Sequence, residues 1–423
     1  MSEKKRHGAN VVGLIDFDKL PAGTETTLNS VVASDGAASR GVLYARGGER
    51  TVVVVSHPRG DMTRHYAAPA FLEAGYAFYV HSPRSLNNDI DIEHERLVLD
   101  VAAGLSYLKN ERGYEKVVLL GNSGGGSLLT FYQRQATTPP PARLTDTASG
   151  DPLDLNAVDL PTADGVVVLA AHPGQGSFML TSIDPSVIDE GEPLVVDPEL
   201  DMYNPANGFR EPPEPSEYSK EFLERYRAAQ YARTARLDAW ARALIVEQRR
   251  YKQQMEKPDF EDLTLEEQNY IARRALVGHF MIIHRTEADP AFLDMHLHSW
   301  KSTRKPGSIM GARPEQVNFA ASGFGRIVTP RAWLSTWSGI STRAKLAESL
   351  KSIHEPLLMI NYTADSLCFP DDNQEQFDSV PAEDKTMHFV DADHIASNPS
   401  ARAEIFQLLA NWLTPRFPAA KSE

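Results

Sequence analysis

Ser123 lies in the string Gly121-Asn-Ser-Gly-Gly125, which follows an apolar run at 117–120 and precedes a helix-like stretch at 127–135. A G-x-S-x-G string between a strand and a helix is typical of a nucleophilic serine on a sharp turn, with its Oγ raised above a sheet. The flanking positions must be small, because larger side chains would clash with the adjacent strand and helix. A glycine-rich turn that cradles phosphate is the competing interpretation, and the strand-turn-helix context favours the nucleophile.

A nucleophilic serine needs a base within hydrogen-bond reach and an acid that orients this base. His394 follows the apolar run at 386–390, and Asp365 follows the run at 356–361. The order serine, acid, histidine along the chain is the one expected for a serine on a strand-to-helix turn. Asp365 is the predicted acid, and its competitors in the nearby loops are Asp371, Asp391 and Asp393.

An acyl-transfer site also needs N–H groups that stabilise the negative oxygen of its intermediate. The backbone N–H of Gly124 is the first candidate, and the second is expected in the loop after the strand at 51–56. That loop reads His57-Pro-Arg-Gly60. Proline has no N–H, so the prediction falls on Arg59. His57 is expected to border the pocket and to brace the loop rather than to transfer protons.

Two arginines and a second histidine follow strand ends, where the sites of open α/β sheets lie. Arg59 and Arg84 could each hold a substrate carboxylate. An ion pair with a nearby aspartate is the favoured interpretation, and the aspartates considered are Asp61, Asp89 and Asp91. His172 follows the run at 165–171 and is a candidate pocket residue for the same reason.

Aromatic side chains after residue 173 are candidates for an apolar pocket, although core packing is their more frequent role. They are Phe178, Trp333 and Trp337. Four histidines of the same region lack the cysteines or ordered carboxylates that would complete a metal site; they are His279, His284, His296 and His298. No metal and no cofactor is therefore predicted. The single cysteine, Cys368, is expected to be a small buried hydrophobe.

Short apolar runs alternate with helix-like stretches along most of the chain. The runs lie at 51–56, 76–80, 116–120, 165–171, 356–361 and 386–390, and the helix-like stretches at 67–74, 92–111, 127–135 and 401–413. This alternation predicts an α/β fold with a mostly parallel central sheet and helices on both faces. Two further strands, at 27–32 and 40–45, are expected to form an antiparallel pair at one edge of the sheet.

A long segment between the fourth and fifth runs interrupts the alternation. It is irregular and rich in Pro and Asp at 183–215, and it is expected to be helical at 217–254 and 263–284. The predicted organisation is a core domain at 11–173 and 351–418, and a large, mainly helical cap at 174–350. Residues 1–10 and 419–423 are expected to be flexible tails.

These residues and their order resemble the α/β-hydrolase superfamily, and the resemblance covers the sheet domain. It implies the α/β-hydrolase fold and a mechanism that uses Ser123, His394 and Asp365, but no particular substrate. The insertion lies where that superfamily carries its cap, after the strand that follows the nucleophile strand. Ser123 departs from the dehalogenases and epoxide hydrolases, which carry Asp there. The His57-Pro-Arg-Gly60 loop departs from the His-Gly-Gly-Gly loop of lipases.

The composition narrows the range of partners. The 423 residues carry 43 Lys and Arg against 57 Asp and Glu, a formal net charge of -14. An acidic chain is a poor match for nucleic acid or for an anionic membrane surface. No apolar stretch is long enough to span a bilayer, and the charged N-terminus has no apolar segment of a secretory signal. A cytoplasmic protein is expected, and the arginine-rich stretch at 225–250 is a solvated helix face or a contact of a homodimer.

The sequence therefore predicts a serine hydrolase that cleaves a carboxylic ester of a small or medium substrate through an acyl-enzyme. Hydrolysis of a C–C bond, a thioester or an amide is the alternative within enzymes, because the same three residues serve all of these reactions. A hydrolase-like protein that binds a ligand without chemistry is the alternative outside enzymes, and the intact set of three residues argues against it.

Overall fold

The computed structural model describes residues 19–321 and 323–420. The predicted N-terminal tail at 1–10, the predicted start of the core domain at 11 and the last three residues of the predicted C-terminal tail lie outside the described residues. Within that C-terminal tail, the N–H of Ala420 donates to the carbonyl of Gly75 at 2.9 Å. Residues 419–420 are therefore bonded to the rest of the protein.

A central sheet of eight strands organises the described chain, with the order β1-β2-β4-β3-β5-β6-β9-β10, and two short strands, β7 and β8, pair separately. The strands are β1 (Glu25–Val32), β2 (Ala38–Ala45), β3 (Thr51–Ser56), β4 (Ala77–Ser82), β5 (Lys116–Asn122), β6 (Gly165–Leu169), β7 (Met281–Ile282), β8 (Ile327–Val328), β9 (Leu357–Tyr362) and β10 (Lys385–Val390). From β4 to β10 all neighbouring strands are parallel, whereas β1 and β2 form an antiparallel pair at one edge. The predicted sheet is confirmed.

Helices cover both faces of this sheet. The helices of the chain are α1 (Ala68–Glu73), α2 (His94–Ser106), α3 (Gly124–Thr137), α4 (Gln175–Ser182), α5 (Lys220–Met255), α6 (Leu265–Leu276), α7 (Pro314–Val317), α8 (Pro330–Ala332), α9 (Leu346–Leu350), α10 (Pro370–Asp378) and α11 (Pro399–Leu413). Alternate residues of β3 and β5 point to opposite faces, so one set packs with α1 and α11 and the other with α2 and α3. Because both faces of the sheet are buried, both sets of side chains on these strands are apolar.

The insertion is helical mainly in its middle part. Helix α5 begins where Ser219 caps it and matches the predicted helix at 217–254 closely. The predicted helix at 263–284 is wrong in its second half, because α6 ends at Leu276 and the apolar residues after Gly278 form β7 instead. Those residues pair with β8 and pack into an apolar cluster beside α5.

Most of the described backbone at 277–321 and 323–345 is irregular, and it contains short helical turns and the β7–β8 pair. Helix α9, which the prediction assigned to the cap, packs through Leu346 and Leu350 against β6 and β9. Among the described residues, no helix is both long enough and apolar enough to cross a bilayer.

We predict that Gly125→Ala destabilises the protein, because a Cβ at this position would lie 2.3 Å from the carbonyl oxygen of Ser56. The overlap is between two backbone segments and cannot be relieved by a side-chain rotation, so a loss of about 1–3 kcal/mol or more is expected. Urea unfolding of both proteins measures the effect. Gly278→Ala is the matched control, because the nearest atom to its Cβ would be 3.8 Å away. Equal losses in the two variants would contradict the prediction.

Candidate active site

Ser123 lies on a strained turn between β5 and α3. Its backbone has φ 53° and ψ −126°, a conformation that a non-glycine residue rarely adopts. The turn needs its glycines, since a Cβ on Gly121 would lie 2.6 Å from the Cα of Gly126. The N–H of Ser123 donates to the carbonyl of Leu169 in β6 at 3.1 Å, which fixes the turn to the neighbouring strand.

His394 and Asp365 lie in hydrogen-bond contact with this serine. The Oγ of Ser123 is 2.9 Å from Nε2 of His394, and Nδ1 of His394 is 2.7 Å from Oδ2 of Asp365. Asp365 is fully buried, and its other oxygen accepts the N–H groups of Leu367 at 2.7 Å and Cys368 at 3.1 Å. These bonds hold the carboxylate in one orientation, so His394 is set to donate from Nδ1 and to accept a proton at Nε2.

The three competing aspartates are engaged elsewhere. Asp391 is exposed and accepts the hydroxyls of Thr303 at 2.8 Å and Thr363 at 3.1 Å. Asp393 accepts the N–H of Ser397 at 2.8 Å, whereas Asp371 lies 3.4 Å from the ring of His298. Only Asp365, among the four aspartates considered, contacts His394.

Cys368 is buried beside the same histidine. Its Sγ lies 3.8 Å from Nδ1 of His394 and donates to the carbonyl of Ala170 at 3.3 Å. Burial raises the pKa of this thiol well above its usual value, and the negative charge of Asp365 adds to the shift. The thiol therefore stays protonated and is a poor nucleophile. The four histidines considered for a metal site do not form a cluster of potential ligands in the described part of the chain. The one such cluster among the described residues consists of Asp365, Cys368 and His394.

The loop after β3 does not present the predicted backbone donor. The N–H groups of Arg59 and Gly60 both point to Nδ1 of His57, at 3.1 and 2.7 Å. The imidazole of His57 thus braces the loop, and the N–H of Arg59 is hydrogen-bonded within it. Gly124, the other predicted donor, begins α3 directly after Ser123.

The two arginines form ion pairs with aspartates. The guanidinium of Arg59 bonds Asp89 through two nitrogens, with 2.6 Å between Nη2 and Oδ2, and lies 4.9 Å from the ring of Phe324. Arg84 pairs with Asp35 and Asp100 instead of the three aspartates considered from the sequence. The proposed pocket role of Arg84 is wrong, because its side chain is held away from the cavity that Ser123 borders.

Ser123 opens into a cavity whose walls are mainly apolar. Its lining residues are His57, Arg59, Met62, Tyr66, Asn122, Ser123, His172, Gln175, Phe178, Ile309, Met310, Phe324, Trp337, Leu367, His394 and Ile395. His172, Phe178 and Trp337 were expected there from the sequence. Trp333 is absent from this lining, because it is fully buried within the insertion and its indole donates to Asp238 at 2.7 Å.

Several lining residues were not found by sequence reasoning. Ile309, Met310 and Phe324 come from irregular backbone in the insertion, where no periodic pattern marks a buried side. Gln175 opens α4, directly after the loop that carries His172. The spacing from His172 was the one signal that could have found Gln175.

Buried imidazoles surround the serine. Burial, followed by the charge of Arg59, lowers the pKa of His57 well below its usual value. Burial also lowers the pKa of His172 to about 3 and that of His94 to about 4. These rings are therefore neutral near pH 7, and each has one donor and one acceptor nitrogen.

The strand order, the strained serine turn after β5 and the histidine after the last strand define the α/β-hydrolase fold. The resemblance seen in the sequence is therefore confirmed for the fold. Each of these groups follows the carboxyl end of a parallel strand, which is why residues far apart in the chain meet at one edge.

Solved structures that are similar to this chain include the following three. The structure of the DcsB complex with its substrate analogue is 12% identical, covers 93% of this chain and 100% of that chain, and has a TM-score of 0.47. The α/β hydrolase GrgF from Penicillium sp. sh18 is 12% identical, with 93% and 99% covered and a TM-score of 0.46. The Pyrococcus furiosus esterase Pf2001 is 10% identical, with 96% and 98% covered and a TM-score of 0.44.

At these identities and TM-scores the similarities carry no information about a substrate. No family model matches the chain, and a comparison with curated proteins finds no match.

We predict that the buried histidines make the protein less stable as the pH falls. Burial lowers the pKa of His65 to about 4, so the folded state excludes a proton that the unfolded state binds below about pH 6.5. The stabilisation is complete above that pH and is lost as the pH falls towards 4. His65→Gln should reduce the drop in unfolding free energy between pH 7 and pH 5 by about 1–2 kcal/mol.

Urea unfolding at both pH values measures this difference between the variant and the wild type. His354→Gln is the control, since His354 is exposed. The prediction is contradicted if both variants show the pH dependence of the wild type.

Proposed function

We propose that this protein is a serine hydrolase that cleaves an uncharged carboxylic ester of small or medium size through an acyl-enzyme. The observation that carries the proposal is the continuous set of hydrogen bonds from Ser123 through His394 to Asp365 at the wall of an apolar cavity. A serine on a strained turn, a histidine at 2.9 Å and a buried carboxylate behind it are the parts that nucleophilic catalysis needs.

The reaction proceeds in two halves. In the first, Oγ of Ser123 attacks the carbonyl carbon while its proton passes to Nε2 of His394, and Asp365 stabilises the resulting imidazolium. The tetrahedral intermediate collapses, the alkoxide leaves with the proton from His394, and the acyl group stays on Ser123. In the second half, His394 takes a proton from water, whose oxygen attacks the acyl carbon. Collapse of this second intermediate releases the acid and restores the serine hydroxyl.

The charges of the cavity support an uncharged substrate. Arg59 is the one Lys or Arg among the lining residues described above, and Asp89 already neutralises it through two hydrogen bonds. A substrate carboxylate would have to compete with Asp89 for this guanidinium. The remaining wall is formed largely by apolar groups such as Phe178 and Trp337, which favour an acyl or alcohol group without charge.

We expect that Ser123→Ala abolishes both ester hydrolysis and labelling by a fluorophosphonate probe, because the attacking oxygen is removed. Asp365→Asn should lower kcat by about 10⁴-fold, since the amide no longer holds His394 in the correct tautomer. Steady-state kinetics and gel fluorescence of the labelled protein measure these effects. Labelling that survives Ser123→Ala would show that another residue is the nucleophile.

Asp393→Asn is the matched control for the acid. It makes the same chemical change one residue before His394, but its carboxylate bonds Ser397. Activity close to that of the wild type is expected. If Asp393→Asn were the inactive variant and Asp365→Asn the active one, the assignment of the acid would be wrong.

A series of p-nitrophenyl acyl esters of rising chain length, together with thioester and anilide analogues, tests the substrate class. We expect kcat/KM to be highest for short and medium uncharged acyl groups and to fall at least tenfold when a carboxylate is added to the acyl end. Inactivity on the whole series, with Ser123 still labelled by the probe, would favour C–C bond cleavage by the same residues. Inactivity without labelling would favour a protein that only binds a ligand.

A further inference from the structure

Two histidines at the cavity are held in the tautomer that carries its proton on Nε2. Nδ1 of His57 accepts the N–H groups of Arg59 and Gly60, at 3.1 and 2.7 Å, and Nδ1 of His172 accepts the N–H of Gly174 at 3.1 Å. A neutral imidazole whose Nδ1 accepts must carry its hydrogen on Nε2. Neither Nε2 has a hydrogen-bond partner within the described part of the chain, and both rings line the cavity.

Both Nε2 atoms lie close to one place beside Gly124. A Cβ built on Gly124 would lie 2.8 Å from Nε2 of His57 and 3.1 Å from Nε2 of His172. The Nε2 of Gln175 would lie 2.3 Å from the same point, and the Oε1 of this side chain accepts from the hydroxyl of Ser127 at 3.1 Å. Buried donors are normally paired, so unpartnered imidazole nitrogens gathered beside Gly124 at the cavity wall indicate a place nearby for an oxygen atom of a ligand.

This place lies next to the N–H of Gly124. In a residue with helical φ, the N–H bond and the direction of the Cβ are nearly eclipsed, so both point to the same side of the backbone. An oxygen that accepts from the N–H of Gly124 is therefore on the side of His57 and His172. The loop after β3, by contrast, uses the N–H of Arg59 for its own hydrogen bond.

We propose that the Nε2–H groups of His57 and His172 complete the oxyanion hole, together with the backbone N–H of Gly124. The inference rests on the proposed function, because it assigns the negative oxygen that forms when Ser123 attacks a carbonyl. The second donor of this site is then supplied by side chains instead of the backbone of Arg59. The amide of Gln175 lies beside the two imidazoles at the same place.

Burial makes the two rings suited to this role. Both side chains are less than a tenth exposed, and the lowered pKa of each keeps it uncharged near pH 7. A neutral donor cannot protonate the oxyanion outright or attract a counter-ion that would block the site. Its position is fixed before the reaction through Nδ1, so no reorganisation accompanies the appearance of the charge.

Asn and Gln substitutions separate the two nitrogens of each ring. In His57→Asn the side-chain oxygen takes the place of Nδ1 and keeps the bond to the loop, but no atom replaces Nε2. In His57→Gln the amide nitrogen takes the place of Nε2, whereas the acceptor for the loop is lost. The same pair of variants applies to His172, whose Nδ1 holds the N–H of Gly174.

The test is the rate at which an alkyl fluorophosphonate modifies Ser123, measured beside kcat for a p-nitrophenyl ester. The serine oxygen forms a bond to phosphorus, fluoride leaves and His394 takes the proton, while the phosphoryl oxygen occupies the oxyanion hole. Each Asn variant should lose about 10²–10³-fold in both rates, as is found when one such donor is removed. Each Gln variant should lose less than the matching Asn variant, by at least tenfold.

The reverse order, with Asn variants near the wild-type rate and Gln variants slow, would show that the rings only brace their loops. A wild-type protein that the probe does not modify would instead refute the proposed function. Circular dichroism melting checks that the variants fold. A second measurement uses the wild type alone: ¹H–¹⁵N spectra of the imidazoles should show both Nε2–H protons moving downfield on phosphonylation, and unmoved signals would overturn the inference.

Discussion

The close contact between backbone segments at the turn from β5 to α3 is the constraint on which the rest of the structure depends. Gly121 and Gly125 have no side chains, so α3 can begin directly against the carbonyl of Ser56 and the neighbouring strands. This contact forces Ser123 into its strained conformation and also fixes how far its Oγ stands from groups that follow β3, β6, β9 and β10. The distances from Ser123 to these groups thus follow from the packing of main chain against main chain, which varies little with side-chain motion.

The environment of this turn is built from neutral dipoles and paired charges. Arg59 forms an ion pair with Asp89, and Asp365 is hydrogen-bonded to the ring of His394. Burial keeps the imidazoles of His57 and His172 uncharged. Charge that develops during a reaction would meet oriented donors in a region of low dielectric, where hydrogen bonds act more strongly than in water. The consequence of this arrangement is a lower free energy of unfolding at low pH, because the unfolded state binds protons that the buried imidazoles exclude.

The sequence was most informative where a local pattern decides the structure. The apolar strands and the glycines around Ser123 identify the turn, and the polar residues after each strand end identify His394 and Asp365 as candidates. Arg59 was a different case: whether its N–H faces the serine or the ring of His57 depends on the tertiary path of one loop. The predicted helix at 263–284 is wrong in its second half because Met281 and Ile282 pair with β8, which lies 45 to 47 positions later in the chain. Trp333 and Trp337 lie on the same short helical turn, but of the two only Trp337 lines the cavity. No periodicity in the sequence distinguishes their positions.

The irregular backbone at 277–345 provides Ile309, Met310 and Phe324 to the cavity, and none of these residues belongs to the sheet. Segments of this kind accept insertions, deletions and exchanges far more readily than strands or helices do. The part of the protein that lines the cavity can therefore diverge while the β5–α3 turn stays unchanged. In evolutionary terms, the segment that lines the cavity and the turn that carries Ser123 are separate parts of the chain, so the lining can be rebuilt without altering the hydrogen bonds that join Ser123, His394 and Asp365.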